Sequence, residues 1–152
     1  MILTSSISGL RLIGNVDEAW LCTNQPIEKL GTIQWHPELA PNDNLLNEWN
    51  ALGRHAEDPF AWFNTRYVPK FLEQVSRNER ARYALNDLVL ADIHGSKVAL
   101  LCYCKDPRIC HRSVLAGMLY GAGRNVGLEG GLQALNGGYY ERYLTAKMLN
   151  KR

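Results

Sequence analysis

The chain lacks any long run of apolar residues, which excludes a membrane-spanning helix. Its 152 residues are 46% hydrophobic and 21% charged, the balance of a folded globular domain. No stretch reaches the ~20 consecutive apolar residues that such a helix needs. Residues 1–6 also lack a basic segment followed by an apolar one. We therefore predict no signal peptide, no membrane partner and a cytoplasmic location.

A strong excess of either charge is also missing, so composition alone indicates no partner. The formal net charge is +2. Residues 103–152 carry eight basic and three acidic side chains, whereas residues 1–102 carry nine basic and twelve acidic ones. This basic C-terminal third is compatible with a solvated helix or with a nearby anionic ligand. It has no basic run with interleaved aromatic residues, so nucleic acid is compatible but not favoured as a partner.

Cysteine is scarce, and its placement excludes a disulfide framework. The chain has four cysteines, and three of them lie within residues 102–110. In an intracellular protein such clustering indicates a metal site or a reactive thiol. Cys102 and Cys104, with Cys110 or His111 closing over them, are a conceivable zinc set, but the cluster lacks the paired Cys-x2-Cys spacing of familiar zinc sites. We assign no residue as a metal ligand here, and a zinc-stabilised module remains an alternative.

Internal repeats and linkers are absent, so we predict one α/β domain over residues 1–152. Strands followed by crossover helices predict a small three-layer fold with a mostly parallel sheet and helices on both faces. The candidate strands are residues 2–6, 19–23, 98–102 and 125–128. The candidate helices are residues 45–52, 59–75 with a break at Pro69, 79–93, one ending near Gly121, and 139–151. The five glycines of residues 127–138 predict a loop with a short helical turn at 132–135.

The most informative segment that is present runs from Val98 to Ser113. Its apolar start predicts a buried strand, Asp106 and Pro107 end that strand in a polar loop, and a helical pattern follows. Open α/β sheets place their ligand sites where a strand ends and the next helix begins. We therefore predict that the functional site lies at the end of this strand.

Basic side chains at the predicted helix start indicate an anion site. Arg108, His111 and Arg112 lie within five positions. A helix N-terminus presents free N–H groups and a partial positive charge, and arginine adds a fork that fits phosphate or carboxylate oxygens. Hydroxyls from the first strand and from the helix before the motif could reach the same crevice. The candidate ligand-binding residues are Arg108, Arg112, Ser113, Thr4, Ser5 and Tyr67.

Three side chains of the segment are candidates for catalysis. Cys102 and Arg108 have the Cys-x5-Arg spacing of loops that wrap an oxyanion, although this loop has no glycine and contains Asp106. At a helix N-terminus beside His111, the pKa of the Cys110 thiol is expected to be lowered, which favours a reactive thiolate. His111 would serve as an acid or base. The sequence leaves open whether the site is catalytic and indicates no cofactor.

The same segment resembles the signature of the DUF488 family, a domain of unknown function in bacteria and phages. Residues 100–107 and the Cys-His-Arg-Ser run at 110–113 carry the resemblance. Weaker similarities occur at residues 2–5, 39–46, 67–72 and 123–126. Cys104 stands where many relatives have a glutamate. The resemblance implies a Rossmann-like α/β fold and a site around the Cys-His-Arg triplet, without an established activity.

These observations lead to one hypothesis and several alternatives. The chain is expected to bind a phosphorylated or nucleotide-like small molecule at the strand–loop–helix site and could act on it. The alternatives are a non-catalytic protein that sequesters a nucleotide, and a zinc-stabilised module that binds a protein or nucleic acid. A homodimer is compatible with each of them.

Overall fold

The fold is a parallel β-sheet between a layer of α-helices and a thinner layer of short segments. The computed structural model describes residues 1–28, 31–127 and 136–150. The strands are β1 (Ile2–Ser6), β2 (Glu18–Leu21), β3 (Gln34–Trp35) and β4 (Val98–Cys102). The α-helices are α1 (Asp43–Ala51), α2 (Pro59–Trp62), α3 (Val68–Arg77), α4 (Glu79–Ile93), α5 (His111–Gly121) and α6 (Gly138–Leu149). None of the helices in these ranges is long and apolar enough to cross a membrane.

The sheet has the order β1-β4-β2-β3, and every pair in it is parallel. All five residues of β4 are buried, as expected for the central strand of a sheet covered on both faces. Ser6 pairs with Cys102, and Leu21 pairs with Leu101, so β1, β2 and β4 end side by side. The carboxyl ends of these strands therefore form one edge, where open α/β folds bind ligands.

Side chains alternate between two apolar layers along the strands. Val98 and Leu100 face the large core that the α-helices complete. Ala99 and Leu101 face a smaller cluster, which is covered by the 3-10 helix Ile7–Leu12 and by neighbouring loops. The predicted three-layer α/β fold is confirmed, and the sheet is parallel throughout its described strands.

Predicted and observed elements differ mainly where the strands are short. The two-residue strand β3 has no alternating pattern in the sequence and was not predicted. Residues 125–128 were predicted as a strand; of the described residues 125–127, Val126 forms an isolated bridge with Ile2, and residue 128 lies outside the described ranges. The predicted turn at 132–135 lies outside the described residues.

The helix predicted over 59–75 is not interrupted at Pro69. A π-helical turn, Phe63–Tyr67, lies between α2 and α3, and Pro69 follows in the first turn of α3. The backbone stays helical across this junction, and the Val68 N–H donates to the Phe63 carbonyl, so only the hydrogen-bond pattern changes. The π-helical turn matters for the site because it ends at Tyr67, which is buried beside the cysteines.

Two glycines on α5 permit a close approach of the segment that begins α6. A Cβ atom on Gly117 would lie 2.5 Å from the Asn136 carbonyl oxygen and 2.7 Å from a ring carbon of Tyr139. A Cβ atom on Gly121, one turn later, would collide with the Gly137 carbonyl oxygen. The contact between α5 and α6 therefore depends on the absence of side chains at these positions.

Replacing Gly117 with alanine is expected to destabilise the protein despite the better helix propensity of alanine. Alanine contributes ~1 kcal/mol in a helix interior, whereas forcing a methyl group against backbone costs ~1–3 kcal/mol. We expect a net loss of up to about 2 kcal/mol in the free energy of unfolding, measured by urea denaturation. Asn86→Ala, at an exposed position on α4, is the control and should be neutral or slightly stabilising. Equal stability of Gly117→Ala and the wild type would contradict the packing argument.

Candidate functional site

The predicted site lies at the carboxyl end of β4, and three cysteines and one histidine meet there. Cys102 ends β4, Cys104 lies in the following loop, and Cys110 and His111 begin α5. Cys22 follows β2 directly, and its N–H donates to the Leu101 carbonyl at 2.9 Å. The parallel pairing of β2 and β4 thus brings the backbone of Cys22 beside the motif.

His111 is buried, and its orientation is fixed from both sides. Its Nε2 atom lies 2.5 Å from the Cys22 carbonyl oxygen. Because a carbonyl oxygen only accepts hydrogen bonds, the Nε2 atom carries the proton. The other ring nitrogen, Nδ1, lies 3.9 Å from the Cys102 sulfur and 3.8 Å from the Cys110 sulfur. Phe71 packs edge-on against the imidazole, with ring centroids 5.6 Å apart.

The thiols around His111 differ in pKa. Hydrogen bonds from Cys104 and Cys110 hold the pKa of the Cys102 thiol well below its usual range, and His111 lowers it further. The hydrogen bond to Cys102 raises the pKa of Cys104 to about 11. The prediction that Cys110 has a lowered pKa is wrong, because its complete burial raises the pKa and outweighs its place at the helix start. Cys102 is therefore the thiol of the group whose pKa is lowered.

Cys102, Cys110 and His111 could together hold a metal ion. Their three donor atoms, two Sγ and one Nδ1, all lie within 4.8 Å of one another, and all three residues are buried. Two thiols and an imidazole with a fixed proton are donors that zinc prefers.

The two arginines of the motif hold the loop between β4 and α5. Arg112 is fully buried, and its Nη1 atom donates to the Cys104 carbonyl at 2.6 Å. Arg108 is exposed and forms a bidentate pair with Asp106, at 3.0 and 2.9 Å, with its guanidinium above the Phe60 ring. Asp106 therefore occupies the Arg108 fork, and anion binding by either arginine stays a prediction.

The hydroxyl-bearing candidates do not gather at one place. The Ser113 hydroxyl donates to the Pro107 carbonyl at 2.5 Å and thereby ties α5 to the preceding 3-10 turn. Thr4 and Ser5 are buried within β1, and the Ser5 hydroxyl donates to the Ser6 carbonyl. Tyr67 alone of the four lies against the cysteines, and burial followed by the nearby thiols raises the pKa of its hydroxyl.

Two neighbouring depressions lie over this centre. A cavity of about 110 Å³, here called the inner cavity, is bounded by Cys102, Cys110 and His111. Its other walls are Thr23, Asn24, Pro41, Leu46, Trp49, Tyr67, Tyr103, Cys104 and Ile109. A neighbouring depression of about 310 Å³, the outer cleft, shares Trp49, Cys104 and Ile109 with it. The remaining walls of the outer cleft are Arg54, Pro59, Phe60, Lys105 and Asp106.

Several of these wall residues were not identified from the sequence. Trp49 has the spacing of a core residue on α1, and it does contact the core. It also forms part of the wall of both depressions. Thr23 and Asn24 follow β2, which pairs with β4 although the two strands are far apart in the chain. Their position at the end of a strand was the only signal in the sequence that could have indicated them.

The chain matches a model of a known protein family. The model for DUF488-N3a, described as the active DUF488-N3 subclade, matches residues 19–123, which include most of β2, all of β4 and the whole cysteine–histidine centre. No curated protein and no solved structure matches the chain. The match covers well over half of the sequence and includes the Cys-His-Arg triplet on which the resemblance depends. The chain therefore belongs to the DUF488 family, a family of unknown function.

Proposed function

We propose that the protein binds a phosphorylated, nucleotide-like small molecule in the outer cleft, with one end of the molecule in the inner cavity. One observation carries the proposal. The outer cleft, lined by aromatic and basic side chains, shares three wall residues with an inner cavity that is bounded by the cysteine–histidine centre. Ligand sites commonly combine apolar walls with a few convergent polar groups in this way.

The volumes of the two depressions indicate which part of a ligand each could accommodate. A cavity of about 110 Å³ is far smaller than the ~300–1,000 Å³ of typical ligand sites, so it accommodates only a small terminal group. The outer cleft, at about 310 Å³, reaches the lower end of that range and accommodates a ring with its substituents. A mononucleotide-sized molecule suits the two together better than a dinucleotide does.

The walls of the outer cleft supply both kinds of contact that a nucleotide needs. Trp49 and Phe60 offer aromatic surface to a base, and base–aromatic stacking contributes ~1–3 kcal/mol per base. Arg54 and Lys105 bring positive charge to the same walls. The Asp106 carboxylate is paired with Arg108, which reduces its repulsion of a phosphate. In this proposal, Arg54 and Lys105 contact the anion.

The centre at the end of the inner cavity could act on the bound molecule. The Nε2 atom of His111 donates to the Cys22 carbonyl, so its Nδ1 atom faces the Cys102 and Cys110 sulfurs. The hydrogen bonds that lower the pKa of Cys102 favour its nucleophilic form. A histidine beside a cysteine is an arrangement that activates the thiol as a nucleophile. Binding without turnover is the alternative, and it needs only the walls of the cleft.

A titration with adenosine, uridine and their 5′-monophosphates tests the proposal, with calorimetry as the readout. We expect at least one monophosphate to bind with one-to-one stoichiometry and its nucleoside to bind about tenfold more weakly, because a charge-assisted contact contributes ~1.5–3 kcal/mol. Lys105→Ala should weaken binding of the monophosphate by a similar factor.

Lys147→Ala is the matched control, because it removes the same charge from α6, in a groove between α4, α5 and α6. It should leave the affinity unchanged. No binding of any of the four compounds, or an equal loss of affinity in both lysine variants, would count against a nucleotide site in the outer cleft.

A further inference from the structure

We propose that Cys102, Cys104, Cys110 and His111 bind one Zn²⁺ ion at the closed end of the inner cavity. The proposal goes beyond ligand binding in the outer cleft and depends only on the arrangement of the four donor groups. Three cysteines and one histidine are a recurrent ligand set of tetrahedral zinc sites.

The observed distances fit a tetrahedral ion without movement of the backbone. Zn–S bonds of ~2.3 Å and Zn–N bonds of ~2.0 Å place a sulfur and a nitrogen ~3.6 Å apart at two corners of a tetrahedron. The Nδ1 atom of His111 lies 3.9 Å from the Cys102 sulfur and 3.8 Å from the Cys110 sulfur. These distances exceed the edge of the tetrahedron by only a few tenths of an ångström.

His111 is already oriented as a zinc ligand. Metal-binding histidines usually donate their second N–H to a carbonyl or carboxylate, which fixes the tautomer and aims the free nitrogen at the ion. The Cys22 carbonyl accepts this bond from Nε2, and the Phe71 ring supports the imidazole edge-on. The lone pair of Nδ1 therefore points between the two sulfurs before any ion binds.

Cys104 supplies the fourth ligand. The thiols of both Cys102 and Cys110 act on its pKa, so its sulfur lies near theirs, although the group of donor atoms within 4.8 Å of one another contains only the other three residues. It is half-buried and lies in the loop after β4, and in this proposal its side chain rotates to bring the sulfur to the open corner. Three thiolates and Zn²⁺ carry a net charge of −1, which the buried Arg112 guanidinium beside Cys104 complements.

Zinc binding changes what Cys102 can do. Each thiol releases its proton to solvent as its sulfur–zinc bond forms, and no other bond breaks. A sulfur bound to zinc is not a free nucleophile, so the ion would make the centre a clamp that joins the end of β4 to the start of α5. The nucleotide site in the outer cleft does not depend on this choice.

Metal titration of the full chain, reduced and stripped of metal with a chelator, tests the proposal. Zn²⁺ is added in competition with a chromophoric chelator, and Co²⁺ serves as the spectroscopic probe. We expect one equivalent of each ion to bind, and the Co²⁺ complex to show the absorption of a tetrahedral site with thiolate-to-metal charge transfer. Cys102→Ser and Cys110→Ser should each lower the affinity at least a hundredfold. Cys104→Ser should lower it about tenfold to a hundredfold and keep the stoichiometry.

Cys22→Ala is the matched control, because Cys22 is also buried and lies next to His111 through its carbonyl, which the substitution retains. Its thiol contacts the Trp20 carbonyl instead of the donor group, so its loss should leave zinc affinity unchanged. The wild-type Co²⁺ spectrum tests for tetrahedral thiolate coordination even if a serine variant fails to fold. Octahedral absorption without charge transfer, no stoichiometric ion, or equal loss in Cys22→Ala would overturn the zinc site. No nucleotide is present in this experiment, so its failure leaves the nucleotide proposal standing.

Discussion

Replacing Arg112 with methionine is expected to cost about 1–3 kcal/mol of the free energy of unfolding, which is the typical effect of leaving a buried acceptor without its donor. The guanidinium has no exposed surface, and it donates to the Cys104 carbonyl while its charge acts on Asp106. Methionine fills part of the volume but leaves that carbonyl without its donor. The loss should appear as a lower midpoint in urea denaturation of reduced, metal-free protein, followed by circular dichroism.

Arg108→Ala separates this role from a general effect of losing positive charge. Arg108 lies four residues away and pairs with Asp106 on the surface, so its loss should change stability little. Similar destabilisation by the two substitutions would show that the burial of Arg112 is not what matters. If Arg112→Met is as stable as the wild type, the arginine is not needed to hold the loop.

The position of the candidate site could be predicted because the features that indicate it are neighbours in the sequence. An apolar run, a polar loop and a helix start are consecutive in the chain, and the sheet places their junction at its carboxyl edge whatever the neighbouring strands are. The helix pattern of 79–93 was predicted with the right bounds for the same reason, since Asn78 caps it and its apolar spacing is regular.

The roles of the side chains could not be predicted in the same way, because they depend on contacts between distant parts of the chain. Arg112 and Arg108 look equivalent in the sequence, yet one is fully buried and the other is exposed. The proton position of His111 is set by the carbonyl of Cys22, which is 89 residues away. The pKa is lowered at Cys102 and raised at Cys110, because burial of Cys110 outweighs the effect of the helix start. Burial depends on the whole fold and is not visible in the local sequence.

The identity of residue 104 affects the chemistry expected of the centre. Cys104 places a third thiol near Cys102 and Cys110. A carboxylate at this position would favour acid–base chemistry, whereas a thiol favours a tetrahedral soft-metal site.

Replacing Trp49 with alanine is expected to lower both stability and nucleotide affinity. Its ring lies 5.7 to 5.9 Å from the rings of Trp62, Phe63 and Tyr67, and truncation of a buried tryptophan costs about 3–5 kcal/mol. The same ring forms a wall of both depressions, so its removal also takes away the surface on which a base would stack. Loss of stacking worth ~1–3 kcal/mol corresponds to a loss of affinity of about fivefold to a hundredfold.

Trp62→Ala distinguishes the two effects, because Trp62 packs against Trp49 in the same aromatic cluster but lines neither depression. Both variants should unfold at lower urea concentration by circular dichroism, which does not depend on the tryptophans as fluorescence would. Only Trp49→Ala should weaken binding of a nucleoside monophosphate, measured by calorimetry where both variants are folded. Equal affinities of the two variants would mean that Trp49 serves the core alone and that the base, if one binds, lies against a different wall of the outer cleft.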